Sequence, residues 1–149
     1  MTIQKLILFF GLFLLSYTTQ AQTSPVREMD KTMSFGTRPC FRLEFRGADQ
    51  GLVEDLWKKF AKERFSAKLK KDKKTDELFA DKLSSSLSPN TFTLRSTVEK
   101  VSKEDAALNV WFDLGTSFLN RREHAQSANE AVSILTDFYI VVRTAVITN

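Results

Sequence analysis

Cysteine is nearly absent from this chain: Cys40 stands alone among 149 residues. An intrachain disulfide is therefore excluded, and packing must hold the fold. Histidine is as scarce, with His124 the single example. One imidazole and one distant thiol fall short of the ligand set that a zinc site uses, so no metal site is expected. A Ser-His-Asp arrangement would have to recruit His124 from the polar stretch Arg121-Arg122-Glu123-His124, and no serine stands in a Gly-x-Ser-x-Gly turn. A Cys40–His124 pair has no local motif behind it. Cys40 reads as a small apolar strand residue and His124 as a solvated loop residue. Glycine is also sparse. Gly47 and Gly51 flank a helix start but match neither nucleotide fingerprint, and no cofactor is expected. Charge of one sign is lacking too: the net excess is +4. That is too little to argue for the concentrated basic surface that nucleic acid requires. No internal repeat is visible.

What the chain does have begins at its start. Met1 to Lys5 carry one positive charge, Leu6 to Leu15 (LILFFGLFLL) are apolar or glycine without a break, and Ser16 to Ala21 are small or polar. This tripartite layout predicts a secretory signal over 1–21, cleaved between Ala21 and Gln22. The apolar run is too short to cross a bilayer, which takes about 20 residues. The mature protein is thus expected in the periplasm or outside the cell, with no transmembrane span after cleavage.

Residues 22–38 lack either apolar period and contain Pro25 and Gly36, which predicts a flexible lead-in. A single domain is expected over 39–149. Cys40 to Arg46 alternate, with Phe41, Leu43 and Phe45 on one side and Arg42, Glu44 and Arg46 on the other: a half-buried strand. Asp49 is placed to cap a helix whose stripe is Leu52, Val53, Leu56, Trp57 and Phe60. Residues 67–74 (AKLKKDKK) predict an exposed edge strand and turn, its lysines discouraging aggregation. Thr75 to Ser84 fit a strand or a turn of helix, and Ser84 to Asn90 read as a loop. Phe92–Val101 and Ala107–Asp113 predict a hairpin. Its inward residues are all even-numbered, so the connecting loop must be odd, three or five residues long. Ser127-Ala128-Asn129-Glu130 has the pattern of a capping box opening a last helix, with inner stripe Ala131, Val132, Leu135, Phe138, Tyr139 and Val142. Together these predict an α+β fold: an antiparallel sheet of four to five strands with two helices on one face. The order is β-α-β-(β)-β-β-α, close to a ferredoxin-like layout.

The face turned away from the helices carries Arg42, Glu44, Arg46, Thr93, Arg95, Thr97, Glu99, Asn109, Trp111 and Asp113. Trp111 is a large aromatic where water is expected. Trp111, Arg95, Arg42, Arg46 and Glu44 are therefore the candidate binding residues, for an unknown protein or small ligand. The plainer alternative is an Arg95–Trp111 cross-strand stack that only stabilises the sheet. A third option is that residues 22–38, or a second subunit docking sheet to sheet as a homodimer, cover Trp111. Glu44, Glu99 and Asp113 are the carboxylates a hydrolase-like enzyme would use here. The arginines interleaved with them favour ion pairing, so no catalytic residue is assigned.

The segments Gly47-Ala48-Asp49, Val53-Glu54, Trp57-Lys58 and Phe60, with Trp111-Phe112-Asp113-Leu114-Gly115 and Phe118-Leu119, resemble small exported proteins of Gram-negative bacteria that have no assigned function. The resemblance implies fold and compartment only, and a strand around Glu77 to Asp81. On this reading the chain is a non-enzymatic envelope or periplasmic protein.

Overall fold

A computed structural model describes residues 23–148, so the expected signal at 1–21 lies outside the described residues. Eight elements follow in order: β1 (Val26–Met33), β2 (Gly36–Phe45), α1 (Gln50–Phe65), β3 (Lys70–Lys71), β4 (Leu78–Ser85), β5 (Ser88–Lys100), β6 (Ala106–Asp113) and α2 (Ala125–Thr148). The strands form one sheet in the order β1-β2-β6-β5-β4-β3, antiparallel throughout. The α+β class stands. The strand count rises to six, and the ferredoxin-like order is replaced by one that opens with a hairpin and closes with β6 beside β2.

Both helices lie on the face carrying Phe41, Leu43, Phe45, Phe92, Leu94, Leu108, Val110 and Phe112, all buried. Asp49 caps α1 as its position implies, its Oδ1 accepting the Leu52 N–H at 2.9 Å. From α1, Trp57 enters the core and donates its indole N–H to Ser96 Oγ at 2.8 Å, which satisfies a buried donor. From α2, Phe138 packs edge-on to Trp57 and Phe45, with ring centroids 5.0 and 5.7 Å away. Such pairs add about 0.5–1.5 kcal/mol each beyond the area they bury. This cluster joins both helices to the sheet.

α2 starts at Ala125, two residues before the expected capping box. The His124 carbonyl accepts the Ala128 N–H at 2.8 Å, and Glu130 instead bonds Ser86 of the β4–β5 turn. A tertiary partner has taken the side chain that the box would have used. By length and hydropathy α2 would qualify to cross a membrane. In the fold, its Ala128, Ala131, Leu135, Phe138 and Val142 are fully buried as part of the domain core.

The stretch read as a loop, 84–90, continues the sheet: β4 turns into β5 through Ser86 and Leu87, and Leu87 is buried. Pro89 is tolerated because it falls at the start of β5, where a missing N–H is least costly. Between β5 and β6, Lys100 pairs with Ala106 and Arg95 with Trp111, the register of the three-residue loop.

The largest difference concerns residues 22–38. Val26–Met33 and Gly36–Phe45 form a regular hairpin, so the flexible lead-in is corrected to two strands over most of its length. Polar side chains hid it: β1 has no apolar alternation to detect, because only Val26 reaches the core. Its turn uses Gly36 at φ +93°, a conformation that favours glycine.

Candidate functional site

The second face of the sheet is covered by this hairpin. β2 pairs with β6 only from Phe41 to Phe45, while from Gly36 to Cys40 it pairs with β1 alone. Pro39 sits where the two part, and a residue without an N–H cannot complete a ladder on both sides. Freed from β6, the β1–β2 hairpin bends across β6 and β5 as an arm.

Four contacts hold the arm down. Lys31 Nζ lies 2.7 Å from Glu99 Oε1 on β5. The Arg95 guanidinium stacks over the Phe35 ring at 4.3 Å. Trp111 donates its indole N–H to the Arg38 carbonyl at 3.3 Å. At the tip, the Ser34 N–H and hydroxyl both donate to the Glu77 carboxylate, at 2.8 and 2.6 Å. Glu77 precedes β4 and is only 4% exposed. The arm therefore reaches from the β1 edge across to the far side of the sheet.

Beneath it the candidate residues meet a different fate from the one their alternation implied. Trp111 is 1% exposed, and Cys40 and Asn109 are fully buried. The exposed aromatic platform is thus corrected to an interior one. The reason is the third option raised by the sequence, cover by the chain's own residues 26–38. Arg95 and Trp111 are directly opposed, but Arg95 stacks on Phe35 instead, which revises the expected stacking partner.

Arg42 joins a polar network, donating to Asn109 Oδ1 at 2.9 Å and pairing with Glu99 at 3.1 Å and Glu44 at 3.4 Å. Asn109 in turn donates to Thr97 Oγ1 and Glu99 Oε1. Arg46 stands apart, exposed beyond the end of β2, with its carbonyl accepting from Arg143 at 2.7 Å. Of the five candidates, the structure unites Arg42 with Glu44, and Arg95 with Trp111, and leaves Arg46 aside.

The carboxylates considered for acid–base chemistry are each tied to a cation. Glu99 holds Lys31 and Arg42, Glu44 holds Arg42, and Asp113 lies 3.7 Å from the Arg95 Nε while capping the Gly115 N–H. Burial acts to raise the Glu99 carboxyl, but hydrogen bonds from Lys31, Arg42 and Asn109 outweigh it and hold the group below its ordinary range. That favours a charged, structural Glu99 over a proton carrier near neutrality. Burial pushes the Cys40 thiol up to about 11, which suits an inert core residue better than a nucleophile. Among the described residues, no group of three or more His, Cys, Asp or Glu side chains is placed to hold a metal ion.

The exposed apolar side chains and the main cleft lie on the arm itself. Met29 and Phe35 are 40% and 52% exposed. A cleft of about 330 Å³ opens between β1 and the loop before α2, lined by Glu28, Asp30, Pro39, Asn120, Arg122 and Glu123 among others. Sequence reasoning missed Lys31, Ser34, Phe35, Arg38 and Glu77. The one available signal was the Ser34-Phe35-Gly36 turn, preceded by eight residues free of glycine and proline from Val26 to Met33. Compared with known proteins, the chain matches no family model, no curated protein and no solved structure.

Proposed function

We propose that this is an exported, non-enzymatic binding protein of the bacterial envelope or periplasm, and that it engages another protein through its β1–β2 arm. The amino-terminal layout and the resemblance to exported Gram-negative proteins support the compartment. The ion pairing of Glu44, Glu99 and Asp113 supports a binding role over a catalytic one. One observation carries the reading: the arm covers Trp111 yet leaves Met29 and Phe35, both large and apolar, 40% and 52% exposed. Exposed large apolar side chains rimmed by charge are the composition of a contact surface.

Site-specific photo-crosslinking in the native cell tests it. A crosslinker at Met29 or Phe35 should give a discrete adduct, and one at Lys59, on the solvent side of α1, should not. Adducts identical from all three positions, or none from the arm, would refute the reading. Amino-terminal sequencing of the recovered protein should start at Gln22.

A further inference from the structure

The two edges of the sheet are built differently. At one edge β3 has two residues, both lysines, and neighbouring β4 is irregular between Ala80 and Ser85, with Lys82 at φ +56°. Short length, lysines and bulges are the features that keep an edge from pairing. At the other edge β1 runs eight residues in unbroken register with β2, and no strand lies beyond it among the described residues. It is long and free of bulges, and it carries charges of both signs. We infer that β1 accepts one extended polypeptide strand along this edge, and that the strand bears a basic side chain opposite Asp30 and an acidic one opposite Arg27, the two charges of β1 left unpaired among the described residues. This rests on the reading of the arm as the binding surface and names the partner's chemistry.

Charge supplies the argument. In β1 the helix-side residues Glu28 and Asp30 are acidic, whereas Arg27 and Lys31 on the other side are basic, with Met29 between them. Arg27 and Asp30 are exposed and have no ion pair among the described residues. The acidic side opens on the cleft, where Arg121 already holds Glu28, and Asp30 stands without a cation. Opposed residues in a ladder share a face, so an incoming strand must set a basic residue against Asp30 and an acidic one against Arg27 to match.

A second copy of the chain fails this requirement. Antiparallel self-pairing about a twofold axis sets residues at equal distances from the axis opposite one another. Centred on Met29, it opposes Arg27 to Lys31 and Glu28 to Asp30. Centred on Arg27, Glu28, Asp30 or Lys31, it opposes that charge to itself. Every register centred from Arg27 to Lys31, the registers that overlap most of β1, meets like-charge repulsion, which disfavours a second copy there.

The test uses protein purified after expression of the full chain and two capped synthetic peptides of equal composition. One has the central sequence Glu-Lys-Val-Lys-Glu, the other Lys-Glu-Val-Glu-Lys. Both are palindromic, so strand direction does not matter. Fluorescence anisotropy should show the first binding at least tenfold more tightly, and Asp30→Lys should weaken it at least fivefold with the circular dichroism spectrum unchanged. Amide N-methylation on the peptide's central Val, or instead on both Lys, should block binding in one case and spare it in the other, because only alternate amides face a strand edge. Equal affinity for the two peptides, or equal effects of the two methylations, overturns strand addition. If arm-specific crosslinks in cells persist alongside that result, only this inference falls; if they are absent, the binding surface itself falls too.

Discussion

Replacing Trp111 with alanine separates an interior tryptophan from a surface one. An exposed aromatic on an open sheet face would lose little stability on truncation, whereas the structure puts Trp111 at 1% exposure beneath the arm. A buried indole removes roughly 200 Å² from water, and at about 25 cal/mol per Å² this amounts to about 5 kcal/mol. The arm will settle partly into the gap, which sets the expected loss at about 3–5 kcal/mol, in line with buried aromatic truncations elsewhere. The indole bond to the Arg38 carbonyl, at 3.3 Å, contributes about 1 kcal/mol of it. Trp111→Phe should therefore cost much less than Trp111→Ala. In urea, with a slope near 2 kcal/mol/M, the alanine variant's midpoint should fall by about 2 M. A shift below about 0.5 M would refute the covering role of the arm.

Glu77→Ala removes the acceptor for both Ser34 donors and should cost about 2 kcal/mol. Hydrogen exchange should then quicken at the arm tip before it quickens in α1 or α2; uniform quickening would contradict a local latch. Cys40 should resist a thiol reagent at pH 8 until the protein unfolds, and labelling of the native state within seconds would contradict its burial. Its unfolded thiol has the ordinary value of 9.0 and burial raises the folded one to about 11, so the unfolded chain loses the proton first. Stability should decline as pH rises through that window, and Cys40→Ala should remove the decline. For Glu99 the sign is opposite. Its folded carboxyl is held below the ordinary 4.5, so its contribution is complete above that value and disappears as pH falls through the lowered one. Glu99→Gln should flatten the acid limb of a stability–pH curve, and an unchanged limb would remove the charged Lys31–Glu99–Arg42 network as a source of stability.

Alternation carried much of the fold. Phe41, Leu43 and Phe45, then Phe92, Leu94, Leu108, Val110 and Phe112, point to the helices as their spacing required. The α1 stripe and its Asp49 cap are local features and equally readable. The α2 start was misplaced because Glu130 found Ser86, more than forty residues away, in place of its own helix end. The site was less legible than the fold. Trp111, Arg95, Arg42 and Glu44 were picked out by their side of the sheet, and that side was right; Glu44 is exposed as expected, but Trp111 is buried and Arg95 and Arg42 are largely covered.

By itself, the sequence determined which side chains share a face, where α1 begins and which register the hairpin parity allows, because these depend on spacing along a few neighbouring residues. Tertiary structure alone decided that β2 leaves β6 near Pro39 and that β1 follows it over Trp111. The forces responsible, Glu77 on Ser34, Glu99 on Lys31 and Arg95 on Phe35, join residues forty to seventy positions apart. No local pattern encodes such pairings, since each is settled only when the packed core has brought its partners together.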